Sequence, residues 1–236
     1  MSPSIGMSIG MDVRANLSPF HIHAAALFAR DSWRLESEHG DKPLEELRGT
    51  GLVEDDEGYV IGAVFTSVAF LEAKINELFD DMVGATETTS FKQLAPDNRE
   101  KMARWWELEQ GNQARTLEKF QGALTAIGKC PFDTKVSPYQ DADNLIELRN
   151  ELVHYRPKLI PVGATVPDGI TRRLEGKFST NPWYRGRGNP FYPHKCLGHG
   201  CAEWAVKSSL RFTDKVFERM GITTKYDSLR TRLETK

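Results

Sequence analysis

The longest apolar stretch, about Tyr59 to Val83, repeats its hydrophobic residues with the period of an α-helix and sets a charge among them. With Glu72 at 0° and 100° per residue, Ile61 and Phe79 lie near 340°, Val68 near 320°, Ile75 near 300° and Phe65 near 20°, with Asn76 at about 40°. A second helical stretch, Asp141–Tyr155, repeats the pattern with the opposite sign. With Arg149 at 0°, Ala142, Ile146 and Val153 fall between about 20° and 60°, and Leu145, Leu148 and Leu152 between about 260° and 320°. On the same wheel Asn150 lies near 100° and His154 near 140°. An arginine or glutamate on an apolar face needs a partner, because an unpaired buried charge costs several kcal/mol. The two helices are therefore expected to pack together, with Glu72 and Arg149 in a hydrogen-bonded pair. Truncating either partner of a buried pair would cost roughly 3–5 kcal/mol. Such a pair could simply position two helices. With Asn150 and His154 on one arc beside it, it becomes a candidate functional site.

The rest of the chain also reads as helices. Ser18-Pro19 looks like an N-cap with proline in the first turn, opening a helix that runs to about Glu38, before Gly40. Residues 40–56 are polar and contain glycine, and are expected to be a loop. The apolar helix then ends at Gly84, and a linker follows over 85–96. Asp97–Gln110 and Gln113–Ile127 form an amphipathic hairpin, with Met102, Trp105, Trp106, Leu117, Phe120 and Leu124 facing inward. Ser137-Pro138-Tyr139-Gln140 is a capping signature for the helix of Arg149, and Pro157 stops that helix. A last helix spans about Ala202 to Met220, ending at Gly221. Strand signals are scarce, so the class is all-α, a helical bundle. Residues 1–17 are expected to be a flexible tail and 18–236 a single domain.

Residues 156–195 interrupt this pattern with six of the chain's twelve prolines and eight basic residues against Asp168 and Glu175. The segment's net charge is thus +6, leaving −8 on the remainder of a chain whose total is −2. Aromatic residues are interleaved with the charges. Basic side chains reach phosphates, and aromatic faces stack on unpaired bases. The segment is therefore expected to face RNA through Arg172, Arg173, Lys177, Trp183, Tyr184, Arg185 and Arg187. The alternative is a proline-braced cover whose aromatics are buried against the bundle. His194, Cys196, His199 and Cys201 are four possible zinc ligands within eight residues, but structural zinc sites usually join two separated ligand pairs. Neither a metal nor a cofactor is expected. Cys130, Cys196 and Cys201 suggest no disulfide framework, and so a reducing, cytoplasmic setting. No unbroken run of about 18 apolar residues is present, so no membrane span is expected. Met1–Met11 is neither basic nor apolar enough for a signal peptide.

Arg149-Asn150-x-x-x-His154 resembles the Arg–polar–x–x–x–His signature of HEPN domains, small all-α domains of nucleotide- and RNA-acting proteins, many of them metal-independent endoribonucleases in prokaryotic defence and toxin systems. Leu145–Tyr155 is similar to the motif helix of that family, and Ser67–Asn76 to its long preceding helix, over roughly residues 57–160 in all. The resemblance implies that Arg149 and His154 are catalytic, with Asn150 as the polar second residue, in a cleft shared by a homodimer. It implies RNA as the substrate and a cognate antitoxin or nucleotidyltransferase as a partner. His154 would exchange protons, as histidine does near neutral pH, and Arg149 would stabilise charge on the phosphoryl group, its fork fixed by Glu72. One feature departs from the family. Toxins modified by a nucleotidyltransferase carry a tyrosine two residues after the histidine; here Tyr155 follows immediately and Arg156 holds that place. A non-catalytic module that binds RNA, a nucleotide or a protein partner is the competing expectation.

Overall fold

The computed structural model describes residues 15–85, 87–108, 111–157, 169–224 and 226–236, and every regular element among them is helical. The elements are α1 (Ser18–His39), α2 (Leu44–Leu47), α3 (Leu52–Val83), α4 (Thr89–Gln93), α5 (Pro96–Leu108), α6 (Thr116–Ala126), α7 (Tyr139–Val153), α8 (Gly169–Leu174) and α9 (His199–Met220), with short helical turns between some of them. Most of the expected tail, and Lys158 and Asp168 of the basic segment, lie outside the described residues.

α3 is the central element. Val60, Val64, Phe70, Leu71, Ile75 and Phe79 on it are wholly buried. It packs against α1 and α9 along its length, and against α5, α6 and α7 on a further flank. Ser18 at the start of α1 meets Glu77 near the end of α3, and Ser32 meets Asp56 near its beginning, so α1 and α3 run antiparallel. By length and composition α3 could cross a membrane, the one such helix among the described residues, although half of its most apolar window is buried within the fold. The sequence expectation of no span counted unbroken apolar runs; averaged hydropathy tolerates the scattered charges that interrupt this helix.

Several helix starts differ from expectation: α6 begins at Thr116 rather than Gln113, α9 at His199 rather than Ala202, and α1 and α3 differ for physical reasons. Leu17, not Ser18, is the N-cap of α1. The Ser18 amide and hydroxyl instead donate to the two Glu77 carboxylate oxygens, at 2.8 and 2.6 Å. A carboxylate from another helix thus satisfies a first-turn amide and complements the helix dipole. α3 begins at Leu52, inside the expected loop, after a left-handed Gly51 with φ of 82°. Glu54 and Asp55 occupy its first turn, where acidic residues are favoured. The acidic run 54–57 reads as loop only if charge is taken to mean solvent, and Asp56 is fully buried.

The segment that follows α8 closes over the α1–α3 end of the bundle. Trp183 and Tyr184 are buried beside Leu47 and Val53. Trp183 Nε1 donates to the His39 carbonyl at 2.9 Å, and Tyr184 Oη donates to Glu57 at 3.3 Å. Asn181 is fully buried: its Nδ2 donates to the Leu197 carbonyl at 2.7 Å and to Asp56 at 3.3 Å. Ser32 donates to Asp56 at 2.5 Å, and the His199 amide donates to Glu36 at 2.7 Å. The cover is thus tied down by two acids that have little solvent. Burial pushes the Asp56 carboxyl up to about 8 and the Glu36 carboxyl up to about 7.

Two outcomes are expected. Trp183→Ala should destabilise the fold by about 3–5 kcal/mol, through a cavity and the unpaired His39 carbonyl, as read by urea unfolding. Asp56 ionises near 3.8 when unfolded but near 8 when folded, so folding takes up a proton between those values and stability falls as pH rises across them. Asp56→Asn should remove that slope, gaining on the wild type by at most about 1.4 kcal/mol per pH unit and levelling off above pH 8. Unfolding midpoints at pH 5 and pH 8 check it.

Candidate functional site

α3 and α7 meet where their two opposite charges stand. Arg149 Nη2 donates to Glu72 Oε1 at 2.8 Å, so the expected pair forms. Its burial is less than expected: the Arg149 side chain keeps 30% of its surface exposed and Glu72 keeps 44%. The wheels show why. The buried residues of α3 run from Phe70 at about 160° through Leu78 and Leu71 near 250° to Phe79 near 340°, so Glu72 lies at one edge. On α7 the buried residues are Asn144, Leu145 and Leu148 with Ala142, from about 220° round to 20°. Arg149 lies close to the edge that Ala142 marks, and Val153 just beyond that edge is 52% exposed. The pair sits on the rim of the interface, where solvent weakens the attraction.

Only one hydrogen bond joins the Arg149 guanidinium to the described residues, although it has five donors to give. Its Nε is shielded from solvent without a partner. Asn150 is half-buried, and its side chain makes no hydrogen bond among the described residues. His154 is the C-cap of α7, with φ −102° and ψ 21°, and its amide donates to the Asn150 carbonyl at 2.9 Å. Its side chain is exposed. Tyr155 then turns edge-on to Tyr192, 6.1 Å between centroids, which fixes where the chain leaves the motif.

Lys119 joins this site from α6, a residue the sequence did not single out. Its Nζ donates to Asn76 Oδ1 at 2.9 Å and lies 4.9 Å from the centroid of the Trp106 ring. Lost solvent pulls its ammonium below the usual lysine range, against the opposing fields of Glu72 and Asp80. Asn76 follows Glu72 by one turn of α3, so Arg149, Glu72, Asn76 and Lys119 form a continuous strip across α7, α3 and α6. Asn76 beside Glu72 on the wheel was the available signal; which cation faced it depended on how the α5–α6 hairpin packs. Trp105 fixes that packing, since a Cβ at Gly111 or Gly122 would collide with its ring.

The residues expected to face RNA are dispersed. Trp183 and Tyr184 are core residues of the cover and present no ring face to a base. Arg187 grips Glu45 with both terminal nitrogens, at 2.7 and 2.8 Å. Arg173 reaches Asp143 at 3.3 Å, and Lys177 reaches Asp141 at 2.7 Å. Arg172 and Arg185 are exposed, and Arg185 contributes positive potential at Glu36. Three of the segment's eight basic residues, Arg173, Lys177 and Arg187, thus spend their charge on acids of the bundle. Cys196 and Cys201 are buried side by side, and their hydrogen bond together with burial pushes the Cys201 thiol up. His199 Nδ1 lies 3.0 Å from the Ala29 carbonyl, and among the described residues no three His, Cys, Asp or Glu groups gather as a metal site.

No protein-family model matches the chain, and no curated protein or solved structure matches it either.

A pair on the rim should add little to stability. Glu72→Ala and Arg149→Ala should each cost about 1 kcal/mol or less, diminishing in high salt, because the remaining charge keeps access to water. Urea unfolding at two salt concentrations measures this.

Proposed function

We propose that this chain is an endoribonuclease of HEPN type that cleaves RNA without a metal, with Arg149, Asn150 and His154 as its working residues. One observation carries the proposal: Arg149 is held by Glu72 through a single bond on an open rim, leaving most of its donors uncommitted on a helix that ends at an exposed histidine. An arginine engaged only in fold stabilisation would spend its fork on protein acceptors.

In this proposal the ribose 2′-oxygen attacks the adjacent phosphorus and the bond to the 5′-oxygen breaks. A histidine takes the 2′-hydroxyl proton, and a protonated histidine delivers one to the leaving 5′-oxygen. The products are a 2′,3′-cyclic phosphate and a 5′-hydroxyl. Arg149 stabilises the charge that builds on the non-bridging oxygens, and Asn150 orients the phosphate. Two proton transfers call for two histidines, and one protomer brings one to the motif. A two-fold dimer places two motif helices across one groove and meets that need. Val153, four residues after Arg149 on α7, and Phe65, two turns before Glu72 on α3, are 52% and 37% exposed and are apolar surface for such a contact to cover. An antitoxin or another regulator would dock over the same groove.

The exposed, unenclosed setting of His154 also supports a second reading, a module that binds RNA or a protein through the same strip without cleaving. Cleavage of single-stranded RNA in excess chelator separates the two. His154→Ala and Arg149→Ala should each abolish cleavage while leaving the free energy of unfolding within about 1 kcal/mol of wild type, since both side chains are partly or fully exposed. Equal activity in wild type and His154→Ala would assign the site to binding alone.

A further inference from the structure

A separate cleft of about 380 Å³ opens between α7 and α9, lined by Asp141, Lys177, Phe178, Trp204, Lys207 and Arg211 among others. Asp141 precedes Arg149 by eight residues, about 12 Å along the helix axis, so the cleft is distinct from the motif. Lys177 pairs with Asp141 at 2.7 Å, and Lys207 pairs with Glu203 at 2.8 Å. Burial alone would raise the Asp141 carboxyl, but hydrogen bonds from Lys177 and Ser137 and the charge of Arg211 hold it below the usual aspartate range. Glu203 is held down in the same way, against burial, by Lys207, Thr235 and Lys236. Each acid is therefore matched by its own lysine. Arg211 is exposed, makes no ion pair among the described residues and is the surplus cation of the cleft.

Aromatic surface stands beside that charge. Trp204 is half-buried, with its ring centroid 5.3 Å from that of Phe178. A guanidinium fork matches a phosphate bidentately, lysines add point charge, and an indole offers a stacking surface for a base. A carboxylate ligand would use the charge but leave the indole idle. We infer that this cleft binds a nucleoside monophosphate unit, its phosphate on Arg211 with Lys177 and Lys207 beside it and its base against Trp204. The inference is independent of cleavage at Arg149 and His154.

The unit could be a free nucleotide or the phosphorylated end of a strand, and titration of the full chain distinguishes them. The probes are adenosine 5′-monophosphate, adenosine, inorganic phosphate and a 5′-phosphorylated deoxytetranucleotide, followed by calorimetry and tryptophan emission. The monophosphate should bind at submillimolar concentration, roughly tenfold more tightly than adenosine or phosphate alone. Arg211→Gln should weaken it by roughly tenfold with an unchanged unfolding midpoint, as expected for an exposed side chain without an ion pair. Trp204→Phe should keep binding but remove most of the emission change. Tighter binding of the tetranucleotide supports the site as one for strand ends, and tighter binding of the mononucleotide supports it as one for free nucleotides. No binding at millimolar concentration, equal binding to Arg211→Gln, or phosphate binding as tightly as the nucleotide would each overturn the inference.

Discussion

The burial of α3 over half of its circumference is the constraint on which the rest depends. Its wholly buried residues, Val60 to Phe79, are claimed by α1, α9 and the shorter helices together. What remains open is one strip, and polar residues on that strip have nowhere else to go. Glu72 and Asn76 fall on it, and each receives a cation from a neighbouring helix: Arg149 from α7 and Lys119 from α6. The candidate site is therefore a seam where three helices meet at the edge of the core. A seam combines fixed backbone with access to solvent, and a surface for phosphate recognition needs both.

The same economy governs the cover. Arg173, Lys177 and Arg187 meet acids of the bundle, and Trp183, Tyr184, Phe191 and Tyr192 are buried, because a long proline-rich segment holds one conformation only by burying apolar surface and satisfying its amides. Asp56 and Glu36 accept from Asn181 and the His199 amide in surroundings that disfavour charge. The cover is bound to the bundle through carboxyls that resist ionisation, so its hold is sensitive to proton concentration.

Much of this was legible in the sequence, and the remainder was hidden for identifiable reasons. The all-α class followed from the 3.6-residue period. The Glu72–Arg149 pair followed from two wheels with opposite charges among apolar residues. The depth of the pair did not, because a wheel ranks the faces of one helix and is blind to which flanks its neighbours cover: Phe70 and Leu78 lie far round from Glu72 and are as buried as Phe79. The start of α3 was missed because Asp56 reads as solvent-seeking, whereas a partner on α1 and an asparagine 125 positions later take it inside. Whether Trp183 and Tyr184 face RNA or the bundle was open at the level of sequence, because composition reports that aromatics and bases alternate, not which way each side chain turns. Lys119 and the cleft beside Arg211 needed the packing of helices distant in sequence.

The central claim is that the open rim around Arg149 and His154 carries out 2′-oxygen attack on RNA. The most direct measurement uses an RNA strand with a single 2′-deoxy nucleotide at a mapped cleavage site, incubated with the protein in excess chelator and compared with the all-ribose strand. The account predicts cleavage of the ribose strand to a 2′,3′-cyclic phosphate and a 5′-hydroxyl, with cleavage lost only at the bond following the deoxy position. Cleavage at that bond, or an all-ribose strand left intact by the protein, would contradict it.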